Sequence, residues 1–174
     1  RDPEDVSTSW QIDAYKFDIP MLAAPMDSVV SPETAIEIGR LGGLGVLNLE
    51  GLWTRYDDPR IPLGEIASMP DKHATRRMQE IYSAPIRPEL IKERIKTIRD
   101  SGVTVAASLS PQRTAELHKA VIDAGVDIFV IRGTTVSAEH VGHDDSVLNL
   151  KKFIYELDVP VIVGGVATAT GALH

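Results

Sequence analysis

PMLAAPMDSVVSPETAIEIGRLGGLGVLN, residues 20–48, changes character twice within thirty positions. The apolar run Ile19 to Pro25 has the length and content of a buried strand and breaks off in Met26-Asp27-Ser28. Ser31-Pro32-Glu33 then gives a helix start, a Ser cap with Pro in the first turn, and predicts a helix over Pro32 to Leu41. Glycines follow, and Gly45 to Asn48 reads as a second apolar strand. Strand, polar turn, helix and strand in this order make a β/α unit with parallel strands.

The pattern continues outward. Further strands are predicted at Thr104 to Ser108, Asp127 to Ile131 and Val159 to Gly164, after Ile19 to Ala24 and Gly45 to Asn48. Their interiors are almost continuously apolar, as expected for parallel strands covered on both faces. Helices are predicted at Pro88 to Asp100, Pro111 to Ala124 and Ser146 to Leu157; in the first, Leu90, Ile91, Ile95 and Ile98 recur at helical spacing. DSGVTVAASL (100–109) and DAGVDIFVIRG (123–133) repeat one joint, a helix ending at Gly and leading into a strand. Residues 51–87, punctuated by Pro59, Pro62, Pro70 and Pro85, interrupt the alternation and read as an irregular insertion with one clear helix, Ala74 to Tyr82.

Five β/α units fit an open doubly wound sheet or part of a (β/α)8 barrel, and periodicity does not choose between them. Both place ligands at the carboxyl ends of the strands. Here those ends read Ala24-Pro25-Met26-Asp27-Ser28, Asn48-Leu49-Glu50, Ser108-Leu109-Ser110, Arg132-Gly133-Thr134-Thr135 and Gly164-Gly165-Val166-Ala167-Thr168. Small, hydroxylated and amide residues dominate, a lining suited to a planar or phosphorylated ligand rather than to paired-carboxylate chemistry.

A net charge of −7 gives no general field for nucleic acid or an anionic membrane, and no apolar run reaches membrane-spanning length. With no Cys, the sequence forms neither disulfides nor thiolate metal sites, which suits a cytoplasmic protein. The chain starts without Met and stops just inside a predicted helix start, so it is expected to be part of a longer protein.

The 20–48 stretch, with AGVDIFVIRG (124–133) and VPVIVGGVATATGA (159–172), resembles the IMP dehydrogenase and GMP reductase family. That family's first strand ends in a similar Met-Asp-Thr/Ser-Val and its second follows a Gly-Gly-x-Gly-Val; the resemblance covers most of residues 19–50 and 100–174. It implies an α/β fold, a (β/α)8 TIM barrel present as roughly its first five strands. Residues 1–174 would then belong to one domain, with the 51–87 insertion too short to hold CBS modules. The implied activity is oxidation of IMP with NAD to XMP and NADH through a Cys-linked intermediate. That Cys lies beyond this chain, so no catalytic residue is expected within it. An NADPH-dependent GMP reductase and a catalytically silent nucleotide-binding paralogue are the alternatives.

By the same resemblance, Met26 packs against the purine, Ser28 and Asn48 hold the nucleotide region, and Gly165 lies near base or ribose. Arg132, Gly133 and Thr134 border the nicotinamide, the cofactor being NAD or NADP. A potassium ion and a homotetramer are implied as well, with no nucleic-acid or membrane partner. Two positions depart from the dehydrogenase pattern: Arg132 stands where an Asp is usual, and Gly164-Gly165-Val166 where Gly-Asn-Val is usual. A guanidinium at a strand end favours an anionic partner, either a phosphate or carboxylate of a ligand or a bracing acid such as Glu50 or Glu139.

Other features read as structural. Glu139-His140-Val141-Gly142-His143-Asp144-Asp145 has metal-ligand letters but no recognised catalytic spacing, and is read as a solvated loop with Asp144 or Asp145 capping a helix. His118 and the basic group Lys72, Arg76 and Arg77 are read as surface residues.

Overall fold

Three of the four described helix-to-strand joints turn on a glycine that a side chain would strain. In the computed structural model, which describes residues 2–133 and 150–173, Gly42, Gly102 and Gly125 take φ values of +86°, +82° and +88°. In this left-handed region a helix can end without a Cβ penalty and the chain can turn back into a parallel strand. The repeated joint seen at Gly102 and Gly125 thus has a third copy at Gly42.

After a 3-10 turn at Pro3–Asp5 comes a hairpin, β1 (Trp10–Ile12) and β2 (Tyr15–Phe17), turning at Asp13 with φ +50°. There follow β3 (Leu22–Ala23), α1 (Pro32–Arg40) and β4 (Leu44–Asn48). After a 3-10 turn at Leu52–Thr54 come α2 (Arg60–Ser68), α3 (Asp71–Tyr82), α4 (Pro88–Asp100) and β5 (Ala106–Leu109). α5 (Pro111–Asp123), β6 (Ile128–Arg132), α6 (Leu150–Glu156), β7 (Val161–Gly164) and α7 (Ala169–Leu173) complete the described elements.

Five parallel strands pair strictly in chain order, β3-β4-β5-β6-β7. A doubly wound sheet reverses its strand order at a switch point; this sheet does not. The two faces are covered differently, too. Leu47, Ala107, Phe129 and Ile131 face the helices and pack with Ile91, Ile95 and Ile98 of α4, Leu117 and Val121 of α5 and Phe153 of α6. The opposite row, Leu44, Val46, Ala106, Ile128, Val130 and Ile162, packs with Trp10, Ile12, Tyr15 and Phe17 of the hairpin. Helices outside and a plugged interior are the arrangement of a barrel, and the five strands form half of one.

Contact between layers is close. A methyl group on Gly45 would lie 2.6 Å from Ala35 Cα, so α1 rests directly on β4. At the bottom of the sheet the Trp10 and Phe17 rings stack with centroids 4.4 Å apart. Trp10 Nε1 donates to Ile19 O (2.7 Å) and Tyr15 Oη to Asp127 Oδ1 (3.2 Å), while Asp127 Oδ2 accepts from Val105 N (2.8 Å).

Two expectations need correction. The irregular insertion at 51–87 holds two helices, α2 and α3, because three of its four prolines stand at helix starts rather than in helix interiors: Pro59 and Pro70 precede the helices and Pro62 lies in the first turn of α2. Arg77 joins the pair, donating through Nε to Glu65 Oε1 (2.6 Å) and through Nη1 to Glu80 Oε2 (3.0 Å). The first strand is also shorter than the Ile19 to Ala24 run. Ile19 N donates to Gly42 O (3.1 Å) and Met21 N to Ile19 O (2.9 Å), so the run's start is spent in a turn.

Candidate functional site at the strand ends

The inner row becomes polar toward the carboxyl ends. Asn48 pairs in register with Ser108, Ser108 with Val130, and Arg132 with Gly164. By two-residue alternation, Asn48, Ser108 and Arg132 continue the inward rows that begin with Leu44 and Val46, Ala106, and Ile128 and Val130. They form the mouth. Asn48 is buried, and its Oδ1 accepts from Glu50 N (3.1 Å), which turns the chain directly after β4. Ser108 is fully buried, and among the described residues its hydroxyl meets no partner.

Met26 lies beyond the end of β3 with 48% of its surface exposed, next to the exposed Val29 and Leu22. Met26 N donates to Ala24 O (2.8 Å), and Met26 O accepts from Val29 N and Val30 N (2.9 Å each). Ser28 is exposed on the same turn, and Ser31 caps α1 behind it, accepting from Thr34 N (3.1 Å). The turn is thus built from local bonds that leave the methionine outside.

Asp27 ties this turn to the insertion. Its Oδ2 accepts from Leu52 N (2.9 Å) and from Tyr82 Oη (2.7 Å). Burial first, and the carboxylate second, push the Tyr82 phenol above its ordinary pKa, so it stays a donor at neutral pH. Around this point the insertion is roped to the turn after β4. Arg55 Nε donates to Glu50 O (3.0 Å) and its Nη1 to Ala84 O, Tyr56 Oη donates to Ile81 O (2.8 Å), and Arg94 of α4 reaches Trp53 O (3.1 Å) and Asp57 O (2.8 Å). Burial, followed by the charge of Arg113, holds Arg55 below the usual arginine pKa.

Across the mouth, Gly133 N donates to Gly164 O (2.7 Å) and Gly165 N to Gly133 O (3.0 Å). Gly165 therefore stands beside Gly133 and Arg132. The guanidinium of Arg132 is exposed, and among the described residues no carboxylate lies within ion-pair distance of it. Glu50, one of its expected braces, is engaged elsewhere, accepting from Ser110 N through Oε1. Thr134, Glu139 and the run His140 to Asp145 lie outside the described residues. His118 is half-buried, its Nδ1 2.9 Å from Thr114 O and its ring edge-on to Phe153.

The structure therefore gathers Met26, Ser28 and Asn48 at the β3–β4 end and Arg132, Gly133 and Gly165 at the β6–β7 end, with Ser108 between them. Sequence reasoning named Asp27 only as a strand-end residue and gave no role to Arg55, Tyr82 and Arg94; together these four hold the mouth together. Among the described residues no three His, Asp or Glu side chains are grouped as a metal would require, and no helix is long and apolar enough to cross a membrane.

A family model described as "IMP dehydrogenase / GMP reductase domain" matches residues 2–174. A crystal structure of an IMP dehydrogenase/GMP reductase-like protein from Corynebacterium glutamicum superposes with a TM-score of 0.93 at 49% identity, covering all of this chain and 47% of that one. Uncharacterized oxidoreductases of Mycolicibacterium smegmatis and Mycobacterium tuberculosis are 48% and 49% identical over 179 aligned residues, each alignment covering the whole chain and 48% of the relative. The inosine-5′-monophosphate dehydrogenase of Methanocaldococcus jannaschii is 43% identical over 47 residues, 27% of the chain. The chain spans about half the length of the curated relatives it matches.

Proposed function

This chain belongs to the IMP dehydrogenase / GMP reductase family, and from that premise we propose that it forms the nucleotide-and-cofactor half of a cytoplasmic purine-nucleotide oxidoreductase. The observation that carries the proposal is the split mouth. An exposed methionine and a buried amide stand at one end of the sheet, and an exposed guanidinium beside three small glycines stands at the other. A purine is flat, apolar on its faces and polar at its edge, which matches Met26 below a face with Ser28 and Asn48 at the rim. A dinucleotide is an anion with long flat groups, which matches Arg132 and the side-chain-free ledge of Gly133, Gly164 and Gly165.

The first reading is oxidation of IMP, with water, to XMP, and a bound nicotinamide dinucleotide supplies the hydride acceptor. In this chain Met26 orients the base, Asn48 and Ser28 fix its rim, and Arg132 anchors the cofactor's charge. A loop Cys outside this chain is the proposed nucleophile. A potassium ion and a homotetramer belong to the same proposal. Arg132 supports a second reading, NADPH-dependent reduction of GMP, because an extra ribose phosphate gives a guanidinium without a carboxylate partner among the described residues its anion.

The test is made on the full-length protein, with NADH formation from IMP and NAD set against NADPH consumption with GMP. Arg132→Gln is expected to raise the dinucleotide KM several-fold and leave the nucleotide KM in place. Turnover in neither direction, with no nucleotide affinity by calorimetry, would refute the reading.

A further inference from the structure

The turn that carries Met26 and Ser28 is held from outside by the insertion, which is also tied to the turn after β4 through Arg55 Nε on Glu50 O (3.0 Å) and Thr54 Oγ1 on Leu49 O (2.8 Å). The Met26–Ser28 turn's own backbone bonds, from Val29 N and Val30 N to Met26 O, fix its shape, and the fully buried Val30 seats its far end in the core. Asp27 holds the Met26–Ser28 end. One of its oxygens accepts from the backbone amide of Leu52 (2.9 Å) and from the phenol of Tyr82 (2.7 Å), and Tyr82 is the last residue of α3, 55 positions away. The other oxygen packs on Gly51, where a methyl group would lie 1.8 Å from Oδ1. Gly51 and Leu52 are buried, so Asp27 sits in a slot closed on one side by backbone and on the other by a phenol.

The rest of the insertion keeps that phenol in place. Tyr56 Oη holds Ile81 O (2.8 Å), one residue before Tyr82, and Arg55 holds Ala84 O two residues after it. Arg87 N donates to Thr54 O (2.8 Å) and closes the circuit back to the turn after β4. Three ties within seven residues of Tyr82 leave α3 little freedom to carry its phenol away from Asp27.

We infer that Tyr82 is a positioning residue for nucleotide binding, and that the 51–87 insertion serves to aim the Met26–Ser28 turn by gripping Asp27 through the Tyr82 hydroxyl and the Leu52 amide. Resting on the proposed nucleotide role of Met26, the inference assigns a function to a segment outside the β/α repeat. Tyr82 itself touches no substrate; it acts through Asp27.

Tyr82→Phe removes one hydroxyl and keeps the ring, and Gly51→Ala disturbs the same slot from the opposite side. In the ligand-free full-length protein, hydrogen exchange at Val29 and Val30 is expected to quicken at least about tenfold in Tyr82→Phe, as for loss of a charge-assisted bond. The melting temperature should stay within a few degrees. Affinity for IMP or GMP is expected to fall three- to tenfold, less than the full effect of such a bond because Tyr82 acts only through the turn, with the dinucleotide KM unchanged, a split that a general loss of stability would not produce. Gly51→Ala should show the same split. Unchanged exchange at Val29 and Val30 in both variants would overturn the inference, as would equal losses for nucleotide and dinucleotide. A wild-type protein that binds neither IMP nor GMP would defeat the substrate reading alone, since the exchange measurement still decides whether Tyr82 aims the turn.

Discussion

Phe17→Ala tests whether the N-terminal hairpin is part of the barrel's core or an ornament on it. Phe17 is 5% exposed and packs with Leu44, Val46, Ala106, Ile128 and Val130 on the inner face. Truncating a buried Phe costs about 3 to 5 kcal/mol, and an aromatic pair such as Phe17 with Trp10 accounts for roughly 0.5 to 1.5 of it. The lower end of the range applies here, about 3 kcal/mol, because a hairpin of three-residue strands can settle into the space left by the ring. Two tethers then remain, the Trp10 indole on Ile19 O and the Tyr15 phenol on Asp127. Neither replaces the lost apolar area, and a two-stranded hairpin is marginal by itself. Urea unfolding of the full-length protein followed by tryptophan fluorescence reads the loss. Hydrogen exchange should locate the new opening at residues 10–17 and at the bottoms of β4 to β6. A loss under about 1 kcal/mol, the level expected of a surface truncation, would mean that the inner row is closed by something other than this hairpin and would refute the account of how the barrel's lower end is sealed.

Gly45→Ala should destabilise by about 1 to 3 kcal/mol through overpacking, because the new methyl would press on Ala35 Cα, backbone that cannot rotate aside; an unchanged urea midpoint would show that α1 floats on β4. Arg94→Met keeps the side chain's apolar stem but strands the carbonyls of Trp53 and Asp57, and should cost about 1 to 3 kcal/mol, with faster exchange confined to residues 52–58.

Legibility followed locality. Strands β4 to β7 could be read because each is short, apolar and bounded by glycine or a cap, and the joints at Gly102 and Gly125 declare themselves by repetition. The hairpin could not be read: Trp10-Gln11-Ile12 and Tyr15-Lys16-Phe17 do alternate, but three residues of alternation are too few to stand out from chance. Prolines hid α2 and the first turn of α3, since Pro59, Pro62 and Pro70 look like breakers until their positions at the helix starts are known, whereas the body of α3, Ala74 to Tyr82, could be read. At the mouth, Met26, Asn48 and Arg132 were visible as strand-end residues, whereas the Asp27–Tyr82 bond joins positions 55 apart and depends on where a helix in the insertion comes to rest. Nothing local to either residue announces it.

The inner rows carry a second kind of information, a gradient. Reading each strand upward at every second residue, Leu44 and Val46 give way to Asn48, Ala106 to Ser108, Ile128 and Val130 to Arg132, and Ile162 to Gly164. Below the change the row is dry, closed by the stacked rings of Trp10 and Phe17. Above it, amide, hydroxyl and guanidinium stand on an apolar floor. Charges and dipoles in that position face a low-dielectric base and act on a ligand more strongly than they would on an open surface. Arg132 at the end of β6 is exposed, so its charge stays solvated above that floor, and among the described residues no carboxylate pairs with it. On the proposed reading, the anion that Arg132 takes, the diphosphate of NAD or the extra ribose phosphate of NADPH, decides which member of the family this chain resembles in chemistry as well as in fold.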